Sequence, residues 1–230
     1  MVDFPVSLRL DGRPCVVIGG GRVAQTKVES LLAAGARVTL IAPEVTPSLA
    51  ALAETHEIVH LERSARPGDL RGAFLAVAAS DDREAQHAVA AEAEAERVLL
   101  NVVDVPRLCT FTFPAVHRQG TVTIAVSSGG ASPGLARSIR DDLACYVGPE
   151  HALLARLLGR MRERLDPGAE RRGVLGAVLA SPILEWLRQE RFGDIDELLA
   201  QVGGRECSLA ALGFDVREWS RPRAEGGNGS

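Results

Sequence analysis

The chain has 230 residues, 46% of them hydrophobic and 24% charged, with a formal net charge of −4. These values fit a globular protein of one large domain or two small ones, and exclude wholesale disorder, a collagen-like repeat or a disulfide miniprotein. The acidic balance argues against a general nucleic-acid binder, no run of 18 apolar residues predicts a membrane span, and Met-Val-Asp-Phe-Pro does not read as a signal peptide, so the expected location is cytoplasmic.

Residues 14–18, Pro-Cys-Val-Val-Ile, form a short apolar run of the kind buried in a parallel sheet. Gly19-Gly20-Gly21 follows. Val23, Ala24, Lys27, Val28, Leu31 and Leu32 then repeat at helical spacing, with Gly35 as a stop. Further strands are predicted at 37–41, 57–61, 73–78 and 98–103, and helices at 47–55 and from the Ser80-Asp81-Asp82 cap to about Glu96. Strands alternating with helices predict a parallel sheet covered by helices. The pattern then changes. Thr110 to Phe113 and Thr121 to Val126 alternate with period two, and the residues from Pro114 to Gly120 read as a hairpin connection. Ser127-Ser128-Gly129-Gly130-Ala131-Ser132-Pro133 reads as a small-residue loop, with Ser132 as N-cap and Pro133 at the first helical position. Leu135, Ile139, Leu143 and Tyr146 make one apolar stripe. Helices are predicted at 151–165, 182–191 and 194–202, and the polar, glycine-rich residues 220–230 read as a disordered tail. No internal repeat is visible. The fold class is α/β, a Rossmann-type parallel sheet followed by a hairpin-and-helix unit and a small helical domain. The expected boundaries are 1–112, 113–148 and 149–219.

Composition removes several chemistries. Lysine occurs once, at Lys27, against 25 arginines. Val28 follows Lys27, so there is no P-loop, and the single tyrosine, Tyr146, has Glu150 four residues on, so a Tyr-x-x-x-Lys dehydrogenase pair is absent. Lys27 itself reads as a surface-helix residue. Cys15, Cys109, Cys145 and Cys207 are too scattered for a zinc or iron–sulfur motif and read as small buried hydrophobes. His56 and His60 are separated by strand-like residues, and no metal-ligand set is assigned.

Gly19-Gly20-Gly21-Arg22-Val23-Ala24 fits Gly-x-Gly-x-x-Ala between the first strand and the first helix. The pattern needs Gly19 for a tight turn, Gly21 for close approach to a pyrophosphate, and Ala24 for helix–sheet packing. The helix N-terminus, where Arg22 and Val23 stand, adds free N–H groups and a partial positive charge. The second strand runs into Pro43 and Glu44, where an acidic residue holds an adenosine ribose, and the next arginine is only Arg63, so NAD is favoured over NADP. Ser80, Asp81 and the Asn101 to Asp104 segment fall at the ends of later strands and should face the same crevice.

Ile18 to Ala24 with Lys27, Ala78-Ala79-Ser80-Asp81-Asp82, Asn101-Val102-Val103-Asp104, and Val126 to Pro133 with Ala136, Arg137 and Arg140 occur in that order. Over about residues 1–145 this resembles the precorrin-2 dehydrogenase/sirohydrochlorin ferrochelatase family, the siroheme-synthase module, in a stand-alone form. The resemblance implies NAD on the Rossmann domain, a homodimer formed through the hairpin-and-helix unit, and oxidation of the tetrapyrrole precorrin-2 to sirohydrochlorin. Some members then insert ferrous iron. It makes Asp104 the catalytic candidate and places Ser128 near the tetrapyrrole cleft, at a position phosphorylated in some relatives. A carboxylate after the fifth strand suits a base for dehydrogenation. Because the macrocycle carries eight carboxylates, a cationic cleft is expected, with Arg107, Arg118, Arg137 and Arg140 as candidates. The alternative from another class is a non-catalytic Rossmann module that senses NAD.

Overall fold

The computed structural model describes residues 3–80 and 82–215. The expected tail at 220–230 lies outside them. The chain forms two compact units, one comprising the residues up to Phe113 with Ser128–Ser132, the other Pro114–Ser127 and the chain from Pro133 onward.

The first unit is built on five short strands, β1 (Pro14–Ile18), β2 (Arg37–Ile41), β3 (Ile58–Leu61), β4 (Leu75–Ala78) and β5 (Leu99–Val102). All pair in parallel, in the order β3-β2-β1-β4-β5. β1 and β4 are nearly all apolar because helices cover both faces of the sheet. Cys15 and Val17 face α1 (Arg22–Leu32) and α2 (Pro47–Glu54), packing with Val28, Leu31, Leu40 and Leu49. Val16 and Ile18 face the other way, with Ala76, Ala78 and Leu100, toward Val89 and Ala93 of α3 (Arg83–Glu96). Each Val, Leu or Ile side chain among these contributes about 1.5–3 kcal/mol when removed from water. The helix starts follow their caps. Thr46 Oγ1 accepts from the Leu49 N–H ahead of Pro47, and Asp82 Oδ1 accepts from the Glu84 and Ala85 N–H groups at 2.9 and 3.1 Å.

The hairpin differs from expectation. Its strands are β6 (Ala115–Gln119) and β7 (Val122–Val126), joined across Gly120 and Thr121. Gly120 has φ +58°, which a tight two-residue turn requires. Residues 110–113 instead run beside the open edge of β5. Thr110 N–H donates to the Leu100 carbonyl at 2.8 Å, Leu100 N–H donates to Thr110 Oγ1 at 2.8 Å, and Asn101 Nδ2 donates to the Phe111 carbonyl at 3.0 Å. Period-two alternation marked this segment as extended but did not choose its partner.

The second unit continues with α4 (Pro133–Ala144), α5 (Pro149–Arg164), α6 (Ala169–Ala180), α7 (Ile183–Arg188) and α8 (Phe192–Gly203). α4 begins at Pro133 as expected, whereas α6 was not anticipated. α5 to α8 close around Leu157, Met161, Val178, Ile183, Leu187, Ile195 and Leu199. Cys15 and Cys207 are buried as expected, but Cys145 is exposed and Cys109 is half-buried and hydrogen-bonded. No helix among the described residues is long and apolar enough to cross a membrane.

Candidate dinucleotide site and catalytic carboxylate

Ile18, Ile41, Ala78 and Val102 lie in one row across β2, β1, β4 and β5. The segments that follow them, carrying Gly19, Pro43, Ser80 and Asp104, therefore leave the sheet at one edge. This edge is the carboxyl end of a parallel sheet, and β1 lies where connections diverge to β2 on one side and β4 on the other.

The three glycines have three separate reasons. Gly19 has φ +113°, donates its N–H to the Ile41 carbonyl at 2.9 Å, and a Cβ there would strike the Ala79 carbonyl. A Cβ at Gly20 would strike the Glu44 carbonyl, so Gly20 lets the β2–α2 loop close onto the β1–α1 loop. That closure is fastened by Thr46 N–H donating to the Gly20 carbonyl at 3.0 Å and Thr46 Oγ1 donating to Gln25 Oε1 at 2.8 Å. Gly21 has open space where its Cβ would be, and it precedes α1 without a side-chain cap. The N-terminal N–H groups of α1 thus open onto space that a pyrophosphate can fill. This cradle fits a dinucleotide. Gly20 has a packing role that the motif reading passed over.

Arg22 and Val23 open α1 with exposed side chains, and Pro43 and Glu44 are exposed beyond β2. Ser80 is half-buried. Its Oγ accepts from the Asp82 N–H at 3.2 Å, and its carbonyl accepts from Gln86 Nε2 at 2.6 Å. Gln86 is buried and holds the β4–α3 loop in place, a role with no motif to announce it. Asp81 lies outside the described residues. Asp104 is exposed in a turn closed by Val105 N–H donating to the Val102 carbonyl at 3.2 Å, and its φ is +59°. That left-handed conformation is uncommon for side-chain-bearing residues, and aspartate is among those that tolerate it best.

Lys27 is not a free surface residue. Its ammonium stands 4.0 Å from the Phe113 ring centroid, and burial holds its pKa below the usual lysine range. Ser128 belongs to the first unit; its Oγ donates to the Ser132 carbonyl at 2.9 Å and accepts the Ser132 N–H at 3.0 Å. Arg137 and Arg140 stand on α4 in the second unit, where Arg140 Nη2 pairs with Asp141 Oδ1 at 2.6 Å. Arg107 and Arg118 are exposed. No group of three or more His, Cys, Asp or Glu among the described residues is arranged to hold a metal ion.

The fold and this edge define a Rossmann-type dinucleotide-binding protein with a hairpin-and-helix unit after it. Family models described as "Putative NAD(P)-binding" and "Sirohaem biosynthesis protein central" match residues 6–115 and 119–144, which bears out the nicotinamide expectation. The chain is similar to siroheme synthases over most of its length. It is 40% identical over 176 residues to the siroheme synthase of Methylobacillus flagellatus, covering 75% of this chain and 38% of that protein. It is 41% identical over 220 residues to that of Chromobacterium violaceum, covering 92% of this chain and 47% of that protein. The chain thus spans less than half the length of these relatives. Among solved structures it resembles SirC, a precorrin-2 dehydrogenase, with a TM-score of 0.71 and 24% identity over 87% of this chain and 98% of the other. That likeness establishes the fold.

Proposed function

We propose that the chain is an NAD-dependent precorrin-2 dehydrogenase that forms sirohydrochlorin in siroheme biosynthesis. The observation that carries this reading is the row Ile18–Ile41–Ala78–Val102, which delivers the glycine cradle and Asp104 to one edge of one sheet. The names of the relatives and of the fold neighbour supply the substrate class. Gly19, Gly21, Arg22 and Val23 hold the pyrophosphate, Pro43 and Glu44 flank the adenosine ribose, and Ser80 and Asp81 flank the rest of the cofactor. The Glu44 carboxylate disfavours a 2′-phosphate and so selects NAD. Bound there, the nicotinamide supplies the two-electron acceptor. Asp104 takes the proton released as the substrate C–H bond gives up its electron pair with hydrogen. Arg137 and Arg140 meet substrate carboxylates, and Ser128 lies against the macrocycle.

In a second stage, ferrous iron is a substrate and Asp104 accepts pyrrole N–H protons as sirohydrochlorin takes the metal. The active form is a homodimer assembled through α4. All four cysteines are free thiols, which suits the reducing cytoplasm.

The test is Asp104→Asn, assayed for NAD affinity and for NADH formation from precorrin-2. NAD affinity stays at the wild-type value and turnover falls by about 100-fold or more. Wild-type turnover in this variant removes Asp104 from the mechanism. A wild-type protein that binds NAD but forms no NADH is a sensor module instead.

A further inference from the structure

We infer that Cys109 is a positioning residue for Asp104: its thiol occupies the place of a missing sixth strand and pins the turn that carries the carboxylate. The inference rests on the catalytic reading of Asp104 above.

β5 is the last strand on its side of the sheet, so its outward backbone groups at Leu100 and Val102 need partners other than a strand. Thr110 serves Leu100 with both its amide and its hydroxyl. One pleat further, at Val102, the partner is sulfur. Val102 N–H donates to Cys109 Sγ at 3.2 Å. The same thiol lies 3.2 Å from the Val102 carbonyl and 3.5 Å from the Val105 carbonyl, with one proton to give to either. Asn101 Nδ2 approaches the sulfur at 3.7 Å. The groups on both sides of Val103 and Asp104 therefore converge on a single atom.

This convergence has a conformational use. A left-handed φ of +59° is a minority conformation that an aspartate tolerates better than most side-chain-bearing residues but does not prefer. Such a conformation persists where the surroundings over-determine it. Two constraints do so here, the Val105-to-Val102 hydrogen bond that closes the turn and the thiol that holds its two ends. Cys109 is itself fixed by the short 3₁₀ turn Pro106–Leu108, through its N–H donating to the Pro106 carbonyl at 3.1 Å. Burial raises the Cys109 pKa, which keeps the sulfur protonated and able to donate. None of these bonds reaches the glycine cradle, so the effect of Cys109 falls on the carboxylate and not on dinucleotide binding.

The experiment compares Asp104→Asn, Cys109→Ala, Cys109→Val and Cys109→Ser in the full chain. Turnover with precorrin-2 is normalised to NAD-binding sites, and amide exchange is followed over residues 100–108. Cys109→Ala and Cys109→Val should lower kcat about 10- to 100-fold. NAD affinity stays within about twofold, and exchange rises in 100–108 but not in the glycine loop. Cys109→Ser, which keeps a donor and an acceptor, should recover most of the loss. The valine variant refills the space and carries the test if the alanine variant does not fold. Wild-type kcat in the alanine or valine variant beside an inactive Asp104→Asn overturns the positioning role and leaves Asp104 standing. Wild-type turnover in Asp104→Asn removes both. Unchanged exchange, weakened NAD binding, or failure of serine to rescue reduces Cys109 to an ordinary packing residue and also overturns the inference.

Discussion

Adjacent glycines in the cofactor loop are distinguished by what surrounds each missing Cβ. A methyl at Gly20 meets the Glu44 carbonyl, which is backbone and cannot rotate away, whereas a methyl at Gly21 meets no protein atom. Gly20→Ala is therefore expected to cost about 1–3 kcal/mol of stability, seen as a lowered denaturation midpoint. Gly21→Ala should cost only about 0.5 kcal/mol, through a poorer helix cap. The order reverses for the ligand. Gly21→Ala should weaken NAD binding by more than Gly20→Ala does in the fraction that remains folded, as titration calorimetry would read. The Gly-x-Gly-x-x-Ala spacing made Gly19, Gly21 and Ala24 legible in the sequence. Gly20 was not, because its reason is a carbonyl 24 residues further on. Cys109 was hidden in the same way, since nothing local says that a thiol will complete the ladder of a strand.

At the scale of elements, apolar runs and caps placed all five parallel strands and α1 to α3 within a few residues. Two misreadings have physical causes. Residues 110–113 and 115–119 are both compatible with extended chain, and the choice fell to the left-handed Gly120 and to the hydrogen-bonding needs of the β5 edge. α6 carries two glycines, Gly173 and Gly176, which weaken its helical pattern. It forms because Val178 is drawn into the core with Leu157 and Met161. The connection from β3 to β4 is held by charge. Arg63 donates to both oxygens of Asp69 at 2.7 and 2.8 Å, and the Arg66 N–H donates to Asp69 Oδ2 at 2.7 Å. The Arg63 hydrogen bond, more than any other influence, holds the Asp69 carboxyl below its ordinary range. A folded-state pKa below the unfolded one gives stabilisation that is complete at neutral pH and is lost as pH falls through the carboxylate range. Amide exchange over 62–72 should therefore rise in acid before that of the sheet. Asp69→Asn should raise it at neutral pH and remove the acid dependence.

For the whole molecule, the telling feature is what α4 leaves uncovered. Ile139 is 39% exposed and Leu143 38% on one face of α4, and Tyr146, just past its end, is 73% exposed. A stripe of this kind suits self-association. Ile139→Glu is expected to convert a dimer to a monomer in analytical ultracentrifugation while the helical circular dichroism is kept. A wild-type chain that sediments as a monomer at micromolar concentration removes the proposed assembly. The sequence displayed this stripe but not its exposure, because helical spacing marks an apolar face without saying whether the chain's own core or another surface meets it.

The sealing of β5 by Cys109, Thr110 and Phe111 has an outcome for the sheet as an object. One rim is finished by side chains, while the other ends in β3, where Val59 is 58% exposed. Growth of the sheet by a foreign strand is thereby one-directional, and the rim open to it is β3, with β2, β1 and β4 between it and the strand that leads into Asp104.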